Sequence, residues 1–85
     1  MTLKEFVALD ASDQIAIAQQ DGVKVAMRDH GSCIVHLYQL QNFYAEIFYR
    51  KFDFSIWKVG GFDHQIMLVP YLDQIDVRDI MGNSD

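Results

Sequence analysis

Cys33-Ile34-Val35-His36-Leu37-Tyr38-Gln39-Leu40, then Gln41-Asn42, then Phe43-Tyr44-Ala45-Glu46-Ile47-Phe48-Tyr49-Arg50-Lys51: two runs dense in β-branched and aromatic residues stand on either side of two polar ones. Such runs read as strands, and a two-residue gap reads as a tight antiparallel hairpin, because Asn tolerates positive φ. The hairpin also fixes the faces of the sheet, since successive side chains point to opposite sides. If Leu40 lies opposite Phe43, then Tyr38 meets Ala45, His36 meets Ile47 and Ile34 meets Tyr49.

Two further strands extend outward from this hairpin. Val23, Val25 and Met27 alternate with Lys24, Ala26 and Arg28, and Asp29-His30-Gly31-Ser32 is turn chemistry. That strand is expected to place Met27 near Ile34 and Val25 near His36. A fourth strand is predicted over about 54–59, after a turn near Asp53, and Gly60-Gly61 ends it. One face then carries Val23, Val25, Met27, Ile34, His36, Tyr38, Leu40, Phe43, Ala45, Ile47 and Tyr49, and helices should cover it. The other carries Lys24, Ala26, Arg28, Cys33, Val35, Leu37, Gln39, Tyr44, Glu46, Phe48 and Arg50, more apolar than a solvated sheet face normally is. The face of Trp57 is left open, because the turn near Asp53 can shift its strand by one residue.

The helices come from both ends. Thr2-Leu3-Lys4-Glu5 fits a capping box, with Leu3, Phe6 and Val7 on one side of the helix it opens. Asp10 or Ser12 caps a second helix with Ile15, Ile17 and Ala18 inside, ended by Gly22 in the left-handed region. Whether these are two helices or one bent at Asp10 stays open. Beyond the sheet, Asp63 is a plausible cap for a helical turn over 64–69, and Pro70 forces a kink before a second turn over 70–75. Residues 81–85 read as a frayed tail. The expectation is a single α+β domain over 1–85, with N-terminal helices packed on a four-stranded antiparallel meander sheet and a short C-terminal helix.

Bulk composition narrows the function classes. Eighty-five residues make one thin-cored domain, and 51% apolar residues exclude a disordered chain. Cys33 is the only cysteine, so no internal disulfide can form. A free thiol, no signal-peptide pattern at Met1-Thr2-Leu3-Lys4-Glu5 and no long apolar run together favour a reducing cytoplasm and no membrane. A formal net charge of −5 disfavours nucleic acid as a partner of the whole molecule.

Leu3-x-x-Phe6-x-x-Leu9, Leu37-Tyr38-Gln39-Leu40-x-x-Phe43-Tyr44-x-Glu46 and Pro70-Tyr71-Leu72-Asp73-Gln74-Ile75-Asp76 follow one another in an order and spacing that resembles a group of short bacterial proteins of unknown function. The resemblance covers nearly the whole chain. It implies a free-standing domain and transfers no catalytic residue, because that group has none assigned.

Candidate chemistry is sparse. His30-x-x-Cys33-x-x-His36 has zinc-ligand types, but Cys33 and His36 stand an odd number of positions apart in a strand and point to opposite faces, so no metal is expected there. Cys33 reads as a small hydrophobe rather than a nucleophile. Asp73, Asp76 and Asp79 lack calcium-loop spacing and read as a solvated edge. Gly60-Gly61 lacks the phosphate-loop pattern, and no cofactor is expected. Glu46 is expected to pair with a cation of its own face rather than to act as an acid or base. The outer face is the main candidate. Arg28, Val35, Leu37, Tyr44, Glu46, Phe48 and Arg50 are expected to form a protein interface, most simply between two copies of the chain. Cover by the final helix and binding of an anionic ligand are the competing readings of that face. A rival functional class is a ligand-binding or catalytic pocket between helices and sheet, lined by His36, Tyr38, Tyr49 and Trp57.

Overall fold

Four antiparallel strands follow one another in space as they do in the chain: β1 (Val23–His30), β2 (Cys33–Gln39), β3 (Tyr44–Arg50) and β4 (Ile56–Phe62). They are preceded by α1 (Leu3–Val7) and α2 (Ala11–Asp21) and followed by a 3-10 helix, η1 (Gln65–Tyr71). The structure, a computed structural model, describes residues 1–74. The predicted second turn beyond Gln74 and the tail at 81–85 lie outside the described residues. The architecture is the α+β arrangement predicted above, and no described helix is long and apolar enough to cross a membrane.

The β2–β3 pairing matches the sequence register residue for residue, from Cys33 opposite Arg50 to Gln39 opposite Tyr44. Its loop differs in kind. Neither Gln41 nor Asn42 takes positive φ; Leu40 N–H donates to the Phe43 carbonyl at 2.8 Å and closes the loop without a left-handed residue. The β1–β2 hairpin does use one, with Gly31 at φ 60° opening a two-residue turn.

The helix face is dry. Thr2 and Glu5 form the expected capping box, and Asp10 caps a separate second helix by accepting from Asp13 N–H at 3.0 Å. Phe6 and Ala18 are fully buried against Tyr38, Leu40, Phe43, Ala45 and Ile47, with the Phe6 and Phe43 ring centroids 5.1 Å apart. Val7 is exposed instead, because five residues of helix turn only one narrow side to the sheet. Gly22 ends α2 with φ −89°, outside the left-handed region; a Cβ there would lie 2.6 Å from the Ala18 carbonyl oxygen, so close approach is what demands the glycine.

Three strand predictions need correction. In β1 a bulge falls at Val25, between Lys24 opposite Tyr38 and Ala26 opposite Leu37. An extra residue reverses the alternation beyond it, so Lys24 shares the helix face and Val25 packs with the outer cluster. Met27 lies opposite His36 rather than Ile34. In β4 the strand continues through Gly60-Gly61 to Phe62, because Gly61 passes beneath α1: a Cβ there would sit 2.9 Å from Leu3 Cδ1. A second bulge, between Phe48 opposite Lys58 and Tyr49 opposite Ile56, makes Trp57 the extra residue.

The C-terminal segment covers part of the outer face. It forms one 3-10 helix with Pro70 inside it and His64, rather than Asp63, at its cap position, with no side-chain bond. Bonds such as Met67 N–H to the His64 carbonyl, three residues back, give the tighter pitch. Leu68 and Tyr71 are fully buried against Ala26, Leu37, Tyr44 and Phe62. Beyond η1, the Gln74 amide grips the open edge of the sheet: Nε2 donates to the Met27 carbonyl at 2.6 Å and Oε1 accepts from Met27 N–H at 2.9 Å. The side chain thus stands in for a neighbouring strand and blunts an edge prone to unwanted pairing.

Candidate functional site

Alternation in β2 and β3 sends Cys33, Val35, Leu37, Tyr44, Glu46 and Phe48 outward, and every one of them is buried within the single chain. The residues expected to meet a second copy therefore form a second small core. Leu37 and Tyr44 lie under η1. Phe48 packs with Cys33 and Val35 and is ringed by side chains from β1 and β4. Lys58 Nζ stands 4.6 Å from its ring centroid, the Arg28 guanidinium 5.8 Å and the His30 ring 5.5 Å, while Trp57 meets it edge-on at 5.7 Å. Cations over an aromatic face are attracted by its quadrupole, so one phenylalanine gathers two cations, with the His30 ring set against it edge to face, in a chain of net charge −5.

Beside this hub sits a buried polar triad. The Tyr71 hydroxyl donates to Glu46 Oε2 at 2.5 Å, Arg28 Nε donates to the Tyr71 oxygen at 3.1 Å, and Arg28 Nη2 reaches Glu46 Oε2 at 3.4 Å. A carboxylate held away from water is costly unless paired and hydrogen-bonded; here the strap over the sheet supplies one partner and the edge strand the other. Burial, and then the neighbouring Glu46 carboxylate, push the Tyr71 phenol well above its ordinary range, so it remains a donor. Cross-strand pairing of Glu46 with a cation of its own face thus occurs, with Tyr71 as an additional ligand that its place in the sequence did not reveal.

Between η1 and the Phe48 hub runs an open groove of about 350 Å3. Arg28, His30 and Lys58 line it, with Glu46 and Phe48, Gly60 and Met67. Gly60 lies opposite Glu46 in the β3–β4 ladder, and a Cβ on it would meet nothing within 4 Å. A glycine here places no side chain over the largely buried carboxylate. Lys58 forms no salt bridge among the described residues; its ammonium rests between Phe48 and Trp57, 4.6 Å from each ring.

Three of the four side chains expected to line a pocket under the helices do come together: His36 packs on Tyr49 at 4.7 Å and on Tyr38 at 6.5 Å between ring centroids. Tyr49 also accepts from Gln19 Nε2 of α2 at 3.0 Å. Trp57 does not join them, since the bulge in β4 carries it to Phe48 on the other side. Arg50 sits at the exposed end of β3, where Nη1 donates to the Ser55 hydroxyl and the Ile56 carbonyl at 3.1 and 3.2 Å, bracing the β3–β4 loop rather than the outer face. In that loop Phe54 holds φ 60° while Asp53 Oδ1 accepts from Ser55 N–H at 3.0 Å and from its hydroxyl at 2.7 Å, and Phe52 and Phe54 project into solvent.

No family model matches the chain, and it shows significant similarity to no curated protein and to no solved structure.

Proposed function

We propose that this chain is a non-enzymatic interaction module that pairs with a second copy of itself through its outer layer. One observation carries the reading: η1 buries Leu68 and Tyr71 and turns Ile66, Met67, Val69 and Leu72 outward, exposed by 71%, 47%, 56% and 49%. A ridge of four large apolar side chains on a short strap is more than packing within the chain requires. Leu37 and Tyr44 lie one layer below it, as the support on which the ridge is seated, with Val35 and Phe48 in the cluster beside them. Exposed Asp63 and Asp73 bracket η1, while Lys58 and Arg28 lie along its groove side. A two-fold rotation that sets ridge on ridge closes the pair, which makes a homodimer the simplest assembly. The expected setting is the cytoplasm, where Cys33 stays reduced, and nucleic acid is not the expected partner.

Sedimentation equilibrium at tens of micromolar tests the pairing. Association is expected in the native chain and its loss in an Ile66→Glu, Val69→Glu double variant with unchanged circular dichroism. A native chain that stays monomeric across that range removes the reading.

A further inference from the structure

The groove has a chemistry of its own, independent of self-association. Its walls carry Arg28, His30 and Lys58, and its floor includes Glu46, over which Gly60 places no side chain. The charge of Arg28 is answered by Glu46, whereas that of Lys58 is answered by no carboxylate among the described residues. Arg28 Nη1 also lies 3.3 Å from His30 Nδ1, so the guanidinium and imidazole lean together at the same wall. An anion entering the groove therefore meets one uncompensated ammonium and further N–H donors beside it.

Glu46 then decides which anion. Both of its protein hydrogen bonds fall on Oε2, and among the described residues Oε1 receives no protein donor. No buried polar side-chain atom among the described residues lacks a partner, so Oε1 keeps some contact with solvent, and Glu46 lines the groove. A bare carboxylate repels an oxyanion that has only lone pairs to offer, and accepts a hydrogen bond from one that carries its own O–H. We propose that the groove binds a small oxyanion bearing an O–H group, of which hydrogen phosphate is the simplest, with Lys58 and Arg28 holding the negative oxygens, His30 beside them, and Glu46 Oε1 accepting the anion's proton-bearing oxygen. The size of the groove suits a compact ion, and a compact ion is steered by nearby cations, whereas a long polyanion also meets the net negative charge of the whole chain.

Trp57 reports on the site directly. It is the only tryptophan and touches both Phe48 and Lys58. Its fluorescence is followed at protein concentrations below those at which any self-association occurs, so failure of the pairing in the preceding section leaves this measurement intact. Sodium phosphate, sodium sulfate and methyl phosphate are titrated separately at neutral pH and constant ionic strength. The expected result is a saturable change with phosphate and binding about tenfold weaker for sulfate, the value of one charge-assisted hydrogen bond. Methyl phosphate, mostly without a proton at neutral pH and with no hydroxyl elsewhere, is expected to follow sulfate. Lys58→Gln should weaken phosphate binding about tenfold. Gly60→Val should abolish it with the circular dichroism unchanged, because the new side chain fills open space above Glu46. Equal responses to phosphate and sulfate overturn the proposal, as does a phosphate response that survives Gly60→Val in a folded protein. Tighter binding of a thymidine oligonucleotide than of phosphate, with steep loss in salt, overturns it in favour of a nucleic-acid surface.

Discussion

The two faces of this sheet are covered in different ways. On the helix side, eleven residues of α2 and the short α1 bring Phe6 and Ala18 onto Ala45 and Ile47, and the close fit of α1 leaves no space for a Cβ at Gly61. On the outer side, a seven-residue 3-10 helix covers Leu37 and Tyr44 with Leu68 and Tyr71, and the rest of the face is completed by a buried Arg28–Glu46–Tyr71 triad and by cations laid over Phe48. The first face is held by apolar packing, which is insensitive to the order of partners. The second depends on particular polar partners and leaves a groove and an apolar ridge. A sheet with one face of each kind keeps its continuous apolar core on one side and its buried polar contacts on the other.

Truncation of each face's central aromatic gives the largest expected effects. Phe6→Ala should cost about 3–5 kcal/mol, the usual loss for a fully buried phenylalanine, and unfold the chain as one unit in urea. That is a large part of the total for a domain of this length, at roughly 0.05–0.15 kcal/mol per residue. Tyr71→Ala should loosen the strap first: hydrogen exchange at Leu37 and Tyr44 accelerates and a hydrophobic dye binds, while amides of α2 keep their protection. Tyr71→Phe separates packing from polarity, with an expected cost of about 1–3 kcal/mol for leaving Glu46 short of a donor. If Tyr71→Phe costs as much as Tyr71→Ala, the triad rather than apolar contact holds the outer face, and the contrast between the faces sharpens. If Tyr71→Ala exposes α2 as well, the two faces are one cooperative unit and the contrast breaks.

Neighbouring glycines give a second, smaller comparison. Gly61→Ala pushes a methyl into Leu3 and Phe6, at an expected cost of about 1–3 kcal/mol for overpacking. Gly60→Ala faces outward into the groove and should change the denaturation midpoint very little. Equal losses at the two positions would mean that β4 needs glycine for its backbone rather than for what lies above each residue.

Particular residues show why some of this was legible in the sequence and some was not. The β2–β3 register followed from the composition of its two runs, because period-two alternation with a fixed hairpin length leaves one solution. The bulges at Val25 and Trp57 did not, since an inserted residue leaves no mark on composition and yet moves every side chain beyond it to the other face. That is why the face of Trp57 stayed open, with a pocket under the helices as its alternative place, and Lys58 passed unnoticed at the groove. Continuation of β4 through Gly60-Gly61 was hidden for a related reason: two glycines resemble a turn until the helix that presses on one of them is in place. On the outer face, the apolar character of Val35, Leu37 and Phe48 was plain, but an apolar side chain looks the same whether a second copy or the chain's own strap covers it. Pairing of Tyr71 and Gln74 with Glu46 and Met27 spans too much sequence for any local pattern to carry.

The bulge at Val25 can itself be tested through a titration, the smallest effect expected here. His36 lies on the helix face against Tyr49, and burial, with Lys24 as the second cause, holds its imidazole below the ordinary value of 6.5. The folded chain then disfavours the protonated ring that the unfolded chain accepts. Stability from this source is present above pH 6.5 and is lost as pH falls through the lower folded value, before the carboxylates near 4.5 begin to titrate. Urea midpoints measured from pH 7.5 downward should therefore decline first in that window, and His36→Gln should flatten the decline. Lys24→Gln should flatten it in part, because the bulge turns Lys24 to the face of Tyr38 and His36. Under unbroken alternation Lys24 would stand on the opposite face, shielded from His36 by the sheet, and its removal would leave the acid limb as it is in the native chain. A Lys24→Gln protein with an unaltered acid limb would thus return β1 to simple alternation and put Val25 back under the helices.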